Sequence, residues 1–80
     1  MKIPRNISGK QLSKLLKRFD FEITRQSGSH MRLSTYIRGE FHITIPNHKS
    51  LKIGTLNNIL SEIANYLEIE KEQLIKELFG

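Results

Sequence analysis

Apolar residues recur along this chain with two periods, one helical and one of two residues. Leu12, Leu15, Leu16 and Phe19 return at helical spacing, while Lys10, Lys14, Lys17 and Arg18 fall largely on the other side. Ser8 suits an N-cap, Gln11 stands three residues on for the reciprocal bond of a capping box, and Ile7 and Leu12 are placed for a hydrophobic staple. A first helix is expected over about residues 9–19. Its apolar stripe belongs to a core and its basic face to solvent.

The period then changes. Phe21 and Ile23 alternate with Glu22 and Thr24, Met31 and Leu33 alternate with His30, Arg32 and Ser34, and Phe41, Ile43 and Ile45 continue the alternation up to Pro46. Strands are expected over about residues 21–26, 30–36 and 40–45, joined as an antiparallel meander by turns containing Gly28 and Gly39. Parity sets the registers, because a one-residue slip would send every apolar side chain to the wrong face. At the first turn it predicts a three-residue loop, Gln26 to Gly28, with Arg25 opposite Ser29 and Thr24 opposite His30; a two-residue loop would bury Arg32. At the second turn it pairs Tyr36 with Glu40, Ser34 with His42 and Arg32 with Thr44. Glu22, Thr24, His30, Arg32, His42 and Thr44 then share an open face.

After the polar loop Asn47-His48-Lys49-Ser50, the residues Leu56, Ile59, Leu60, Ile63 and Leu67 mark a second helix, expected over about residues 54–66. Leu74, Ile75, Leu78 and Phe79 form a further stripe, expected as a separate helix over about residues 70–79 after a break between Leu67 and Ile69. The order is α-β-β-β-α with a short C-terminal helix, an α+β arrangement with helices packed on a three-stranded antiparallel sheet. Eighty residues suffice for one such domain, 1–80, and are too few for two cores.

Composition narrows the class. Without cysteine there is no disulfide framework and no thiolate zinc site, and a cytoplasmic setting is expected. No apolar run approaches the about 20 residues that span a bilayer, and Met1-Lys2-Ile3-Pro4 does not open a signal peptide, so no membrane partner is expected. Thirteen Lys and Arg against eight Asp and Glu give a formal charge of +5, which favours a polyanionic partner. The basic charge lies mostly between Lys2 and Lys52; beyond Ile53 the acids Glu62, Glu68, Glu70, Glu72 and Glu77 dominate.

His30 follows Gly28-Ser29 at the start of a strand, where a turn can present an imidazole at the sheet edge. Two readings stand: a solvated polar residue on an open face, or a general acid–base. Imidazole titrates near neutrality and moves protons both ways, which suits attack by an RNA 2′-hydroxyl on its neighbouring phosphate. That reaction needs cations to hold the phosphoryl charge and no metal or other cofactor. His30, His42 and His48 lack the spacing of a metal site, and Ser29 reads as a turn residue or phosphate donor. Lys10, Lys14, Lys17, Arg25, Arg32, Lys49 and Lys52 can together follow a phosphate backbone, and Gly54-Thr55 can offer amides and a hydroxyl to an anion or simply cap a helix. Tyr36 is the one aromatic expected on the open face, which gives little support to base stacking.

Four ordered blocks carry a resemblance: Ser8-Gly9-Lys10-Gln11-Leu12, Gly28-Ser29-His30, Ile45-Pro46-Asn47-His48, and Leu51-Lys52-Ile53-Gly54-Thr55-Leu56 with Ile59-Leu60. Together, over about residues 7–67, they resemble the HicA toxins. The resemblance implies a fold like a double-stranded-RNA-binding domain, which agrees with the order read from patterning. It also implies an mRNA interferase, an endoribonuclease of a type II toxin–antitoxin pair held inactive by a HicB-like antitoxin. The family's catalytic histidine corresponds to His30, with Gly28 and Ser29 shaping its turn. The motif assigns no second acid or base, and Arg32 and His42 are the nearest choices. Members often have glycine where the second helix ends, whereas this chain reads Ala64-Asn65-Tyr66-Leu67-Glu68. The role of the acidic tail is not inherited. The rival reading is a non-catalytic double-stranded-RNA-binding module; a DNA-binding adaptor lacks a helix-turn-helix signature.

Overall fold

The computed structural model describes residues 3–80; Met1 and Lys2, on which part of the reading of the amino-terminal segment rests, lie outside the described residues. Helix α1 (Gly9–Leu15) tightens into a 3₁₀ turn (Leu16–Phe19), followed by strands β1 (Glu22–Ser27), β2 (His30–Thr35) and β3 (Phe41–Pro46) and helices α2 (Ile53–Leu67) and α3 (Lys71–Phe79). The sheet is antiparallel in the order β1-β2-β3. This is the α+β architecture expected from the period changes.

The capping box forms at the start of α1. Ser8 Oγ accepts from the Gln11 N–H at 3.0 Å, and Gln11 Oε1 accepts from the Ser8 N–H at 2.8 Å. Leu12 and Leu16 of this helical segment, Met31, Leu33 and Ile45 of the sheet, and Leu56, Leu60 and Ile63 of α2 are fully buried in one core. α3 closes it with Leu74, Ile75 and Leu78. Gly9 is buried where the helix meets the end of β3: a Cβ there would lie 2.1 Å from the Pro46 carbonyl oxygen, so only glycine permits this approach. The Gly9 N–H donates to the His48 carbonyl at 3.0 Å, which fastens the loop after β3 to the same point.

The second hairpin has the expected register, with Ser34 opposite His42 and Arg32 opposite Thr44. The first does not. Ser27 pairs with His30 across a two-residue turn, Gly28-Ser29, with Gly28 at φ +57° in the first central position, rather than Arg25 with Ser29 and Thr24 with His30. A β-bulge between Ile23 and Arg25 reconciles this turn with the core: Ile23 faces Leu33, Thr24 is the extra residue, and Arg25 faces Arg32. Parity is broken once and repaired once, so Arg32 stays exposed.

The break after α2 falls at Glu68, which adopts the left-handed conformation with φ 58°. The Ile69 N–H reaches the Ala64 carbonyl at 3.1 Å and the Glu68 N–H reaches Asn65 at 3.2 Å, the pattern that usually places glycine at this position. Tyr66, near the end of α2, braces the second hairpin. Its ring stacks on Phe41 with centroids 4.4 Å apart, while its hydroxyl donates to the Gly39 carbonyl at 2.7 Å and accepts from the Arg38 N–H at 2.8 Å.

Candidate active site

The open face of the sheet is organised in three rows across the strands. At the end nearest the first turn stand Ser27, His30 and Pro46; next come Arg25, Arg32 and Thr44; then Glu22, Ser34 and His42. Thr24, the bulge residue, reaches into the third row.

His30 closes the tight turn and is exposed. Its imidazole makes no hydrogen bond among the described residues, so neither ring nitrogen is engaged by the protein there. The turn is held from beneath: the Ser29 carbonyl accepts from the Asn47 N–H at 2.6 Å. A methyl group on Gly28 would meet no atom within 4 Å, so the glycine serves backbone conformation rather than close packing.

His42 is in the opposite condition. Ser34 Oγ lies 2.6 Å from its Nδ1 and Glu40 Oε2 lies 2.6 Å from its Nε2, and Ser34 in turn bonds Thr24 Oγ1 at 2.8 Å. Tyr36, 64% exposed, packs edge-on against the ring. Ser34, opposite His42, is four residues along β2 from His30, about 13 Å at roughly 3.3 Å per residue. The ladder therefore does not bring the two histidines to one phosphate. Arg32 is only two residues from His30 on the same face, about 7 Å along the strand.

The basic residues divide by location. Lys10, Lys14 and Lys17, with Ser13, Ile23, Gln26 and Met31, line a cleft of about 230 Å³ between α1 and the outer edge of β1. Lys10 also borders, with Ser8, Asn47, His48 and Lys49, a second cleft of about 270 Å³ at the loop that supports the His30 turn. Lys10 thus links the helix face to the His30 end of the sheet. Arg25 and Arg32 lie on the open face itself. Lys52 caps the start of α2 through its backbone, followed by Gly54 and Thr55; among the described residues no hydrogen bond or ion pair joins these three to His30.

Two features were not read from sequence. Asn47 fastens the His30 turn through its backbone N–H, a role its side chain does not signal. Glu40, the residue before β3, binds His42 two positions on, a contact that depends on ring orientation and is not set by sequence spacing. Among the described residues no group of three His, Asp or Glu side chains converges as metal ligands would, and no helix is long and apolar enough to cross a membrane.

Comparison with curated proteins and with solved structures finds no match. The family model described as the HicA toxin of bacterial toxin–antitoxin systems matches residues 9–64, from the first residue of α1 through most of α2. That span contains Gly9, the Gly28-Ser29-His30 turn and the Asn47-His48 loop that holds it. The chain belongs to the HicA toxin family and is the toxin of a toxin–antitoxin system, with an antitoxin as its partner.

Proposed function

We propose that this toxin is a metal-independent endoribonuclease that cleaves mRNA by acid–base chemistry at His30. The observation that carries the reading is the contrast between the two strand histidines. His30 is exposed at a held turn with both nitrogens free among the described residues, whereas His42 has both engaged. A free imidazole beside cationic side chains can take the proton of an RNA 2′-hydroxyl. The O2′–P bond forms, the P–O5′ bond breaks, and the same imidazole returns the proton to the departing 5′ oxygen. The products are a 2′,3′-cyclic phosphate, opening to a 3′-phosphate with water, and a free 5′-hydroxyl.

The lysines along α1 and Lys49 beside the His30 turn dock the RNA backbone without reading its sequence. A HicB-like antitoxin inhibits by covering His30 and setting acidic groups against this basic surface. The test is induced expression of the chain and of a His30→Ala version in cells, following growth and mRNA integrity. The parent chain alone should arrest growth and fragment mRNA. Equal fragmentation by both, or by neither, contradicts the proposal.

A further inference from the structure

The two-residue turn between β1 and β2 has a chemical consequence on the open face. It alone sets Arg25 directly opposite Arg32, and the bulge beyond that pair keeps Ile23 on the core side, where unbroken alternation would turn it outward beside Ser34. Gln26, the next residue, lines the cleft on the α1 side, which leaves Arg25 on the outer face with Arg32. Two guanidinium groups on directly opposed residues repel and weaken the strand pair. Neither forms an ion pair among the described residues, although Arg18 and Arg38 both do so elsewhere. The acids of this face are committed or distant: Glu40 is bound to His42, and Glu22 lies in the row of Ser34. The fold therefore holds two unneutralised cations together on an exposed surface, in the row next to His30.

We propose that Arg25 and Arg32 form a clamp for one RNA phosphate, the phosphate on which His30 acts. The inference rests on the nuclease reading above and specifies how that site holds its substrate. Guanidinium forks suit phosphate oxygens because each presents paired donors in one plane, and two forks from opposite strands grip the same group from two sides. The extended Arg side chains span the about 7 Å between their row and that of His30. Arg32 and Arg25 then carry the charge that builds on the phosphoryl oxygens as the O2′–P bond forms. The repulsion between them in the free protein disappears when the phosphate is bound.

The experiment uses a single-stranded RNA probe with the full chain and its Arg25→Gln, Arg32→Gln and double variants, with Lys76→Gln on α3 as control. Cleavage is read in the parent background and affinity against salt in a His30→Ala background. Each Arg variant should lose about tenfold or more in kcat/KM, as expected for a charge-assisted bond. The slope of log affinity against log salt should fall by about 0.7 in each single variant, and by little more in the double variant because both hold one phosphate. Arg25→Gln should also unfold at higher urea than the parent, and Arg25→Lys should recover part of the affinity. Lys76→Gln should match the parent throughout.

Unchanged cleavage and salt slope in the Arg variants, beside an active parent, would overturn the clamp. So would normal RNA cleavage coupled to weakened antitoxin binding, which would assign the pair to the partner protein. If the parent itself does not cleave, the nuclease reading fails, and the salt slopes still decide whether the pair binds phosphate.

Discussion

Gly9 and the carbonyl of Pro46 approach so closely that a side-chain carbon on Gly9 would stand 2.1 Å from the oxygen. Pro46 is the ladder partner of His30, so the start of α1 rests against the strand end beside His30. In an ordinary helix, replacing glycine with alanine stabilises by up to about 1 kcal/mol. Here Gly9→Ala should destabilise, by about 1–3 kcal/mol, because the helix must move off β3. Urea unfolding checks the sign, and cleavage should fall with it as the His30 turn loses its support.

Glu68→Gly should stabilise the fold by about 1 kcal/mol. Glu68 holds the left-handed position at the end of α2, where a side chain is strained and glycine is not. The change also removes its ion pair with Arg38 at 2.9 Å, but the two side chains are 73% and 47% exposed, and such pairs contribute little. Denaturant midpoints of the two chains, with cleavage unchanged, provide the check.

Tyr66→Phe keeps the stacking on Phe41 and removes both hydroxyl bonds to the second hairpin. The loss should be about 1–2 kcal/mol. Hydrogen exchange at the Arg38 amide should accelerate more than exchange at β2 amides, since the Arg38 N–H loses its only acceptor among the described residues.

His42→Ala separates structure from chemistry. It strips Ser34, 2% exposed, of one hydrogen-bond partner and should lower stability by about 1–2 kcal/mol. Cleavage at a temperature where the variant is folded should remain within a few-fold of the parent, because the ring stands about 13 Å along the ladder from His30. A loss as deep as that of His30→Ala would show that His42 takes part in the reaction.

These contrasts also mark where sequence reading succeeded. The register of the second hairpin followed from parity because apolar Leu33, Ile43 and Ile45 alternate without interruption. The first hairpin resisted it because Thr24 adds a residue to β1, and an inserted residue combined with a shorter turn leaves the same apolar pattern as a longer turn without a bulge. The lysine face of α1 was legible from helical spacing, but its nearness to Gln26 and Ile23 depends on how the helix lies on the sheet edge. The helix break near Glu68 showed in the shift of the apolar stripe, while its left-handed glutamate did not, since side-chain type alone signals a glycine or asparagine cap. His30 was visible as a residue beside a glycine turn; the pairing of Arg25 with Arg32 was hidden by the same bulge.

Whether His30 performs chemistry rather than binding is decided most directly with the purified protein. Purified chain and His30→Ala should be compared for cleavage of one end-labelled RNA in EDTA and for affinity to it. The parent should yield cyclic or 3′-phosphate ends, while His30→Ala should bind with nearly the same affinity and not cleave. Products with 3′-hydroxyl ends, or cleavage that survives the substitution, would contradict acid–base chemistry at His30.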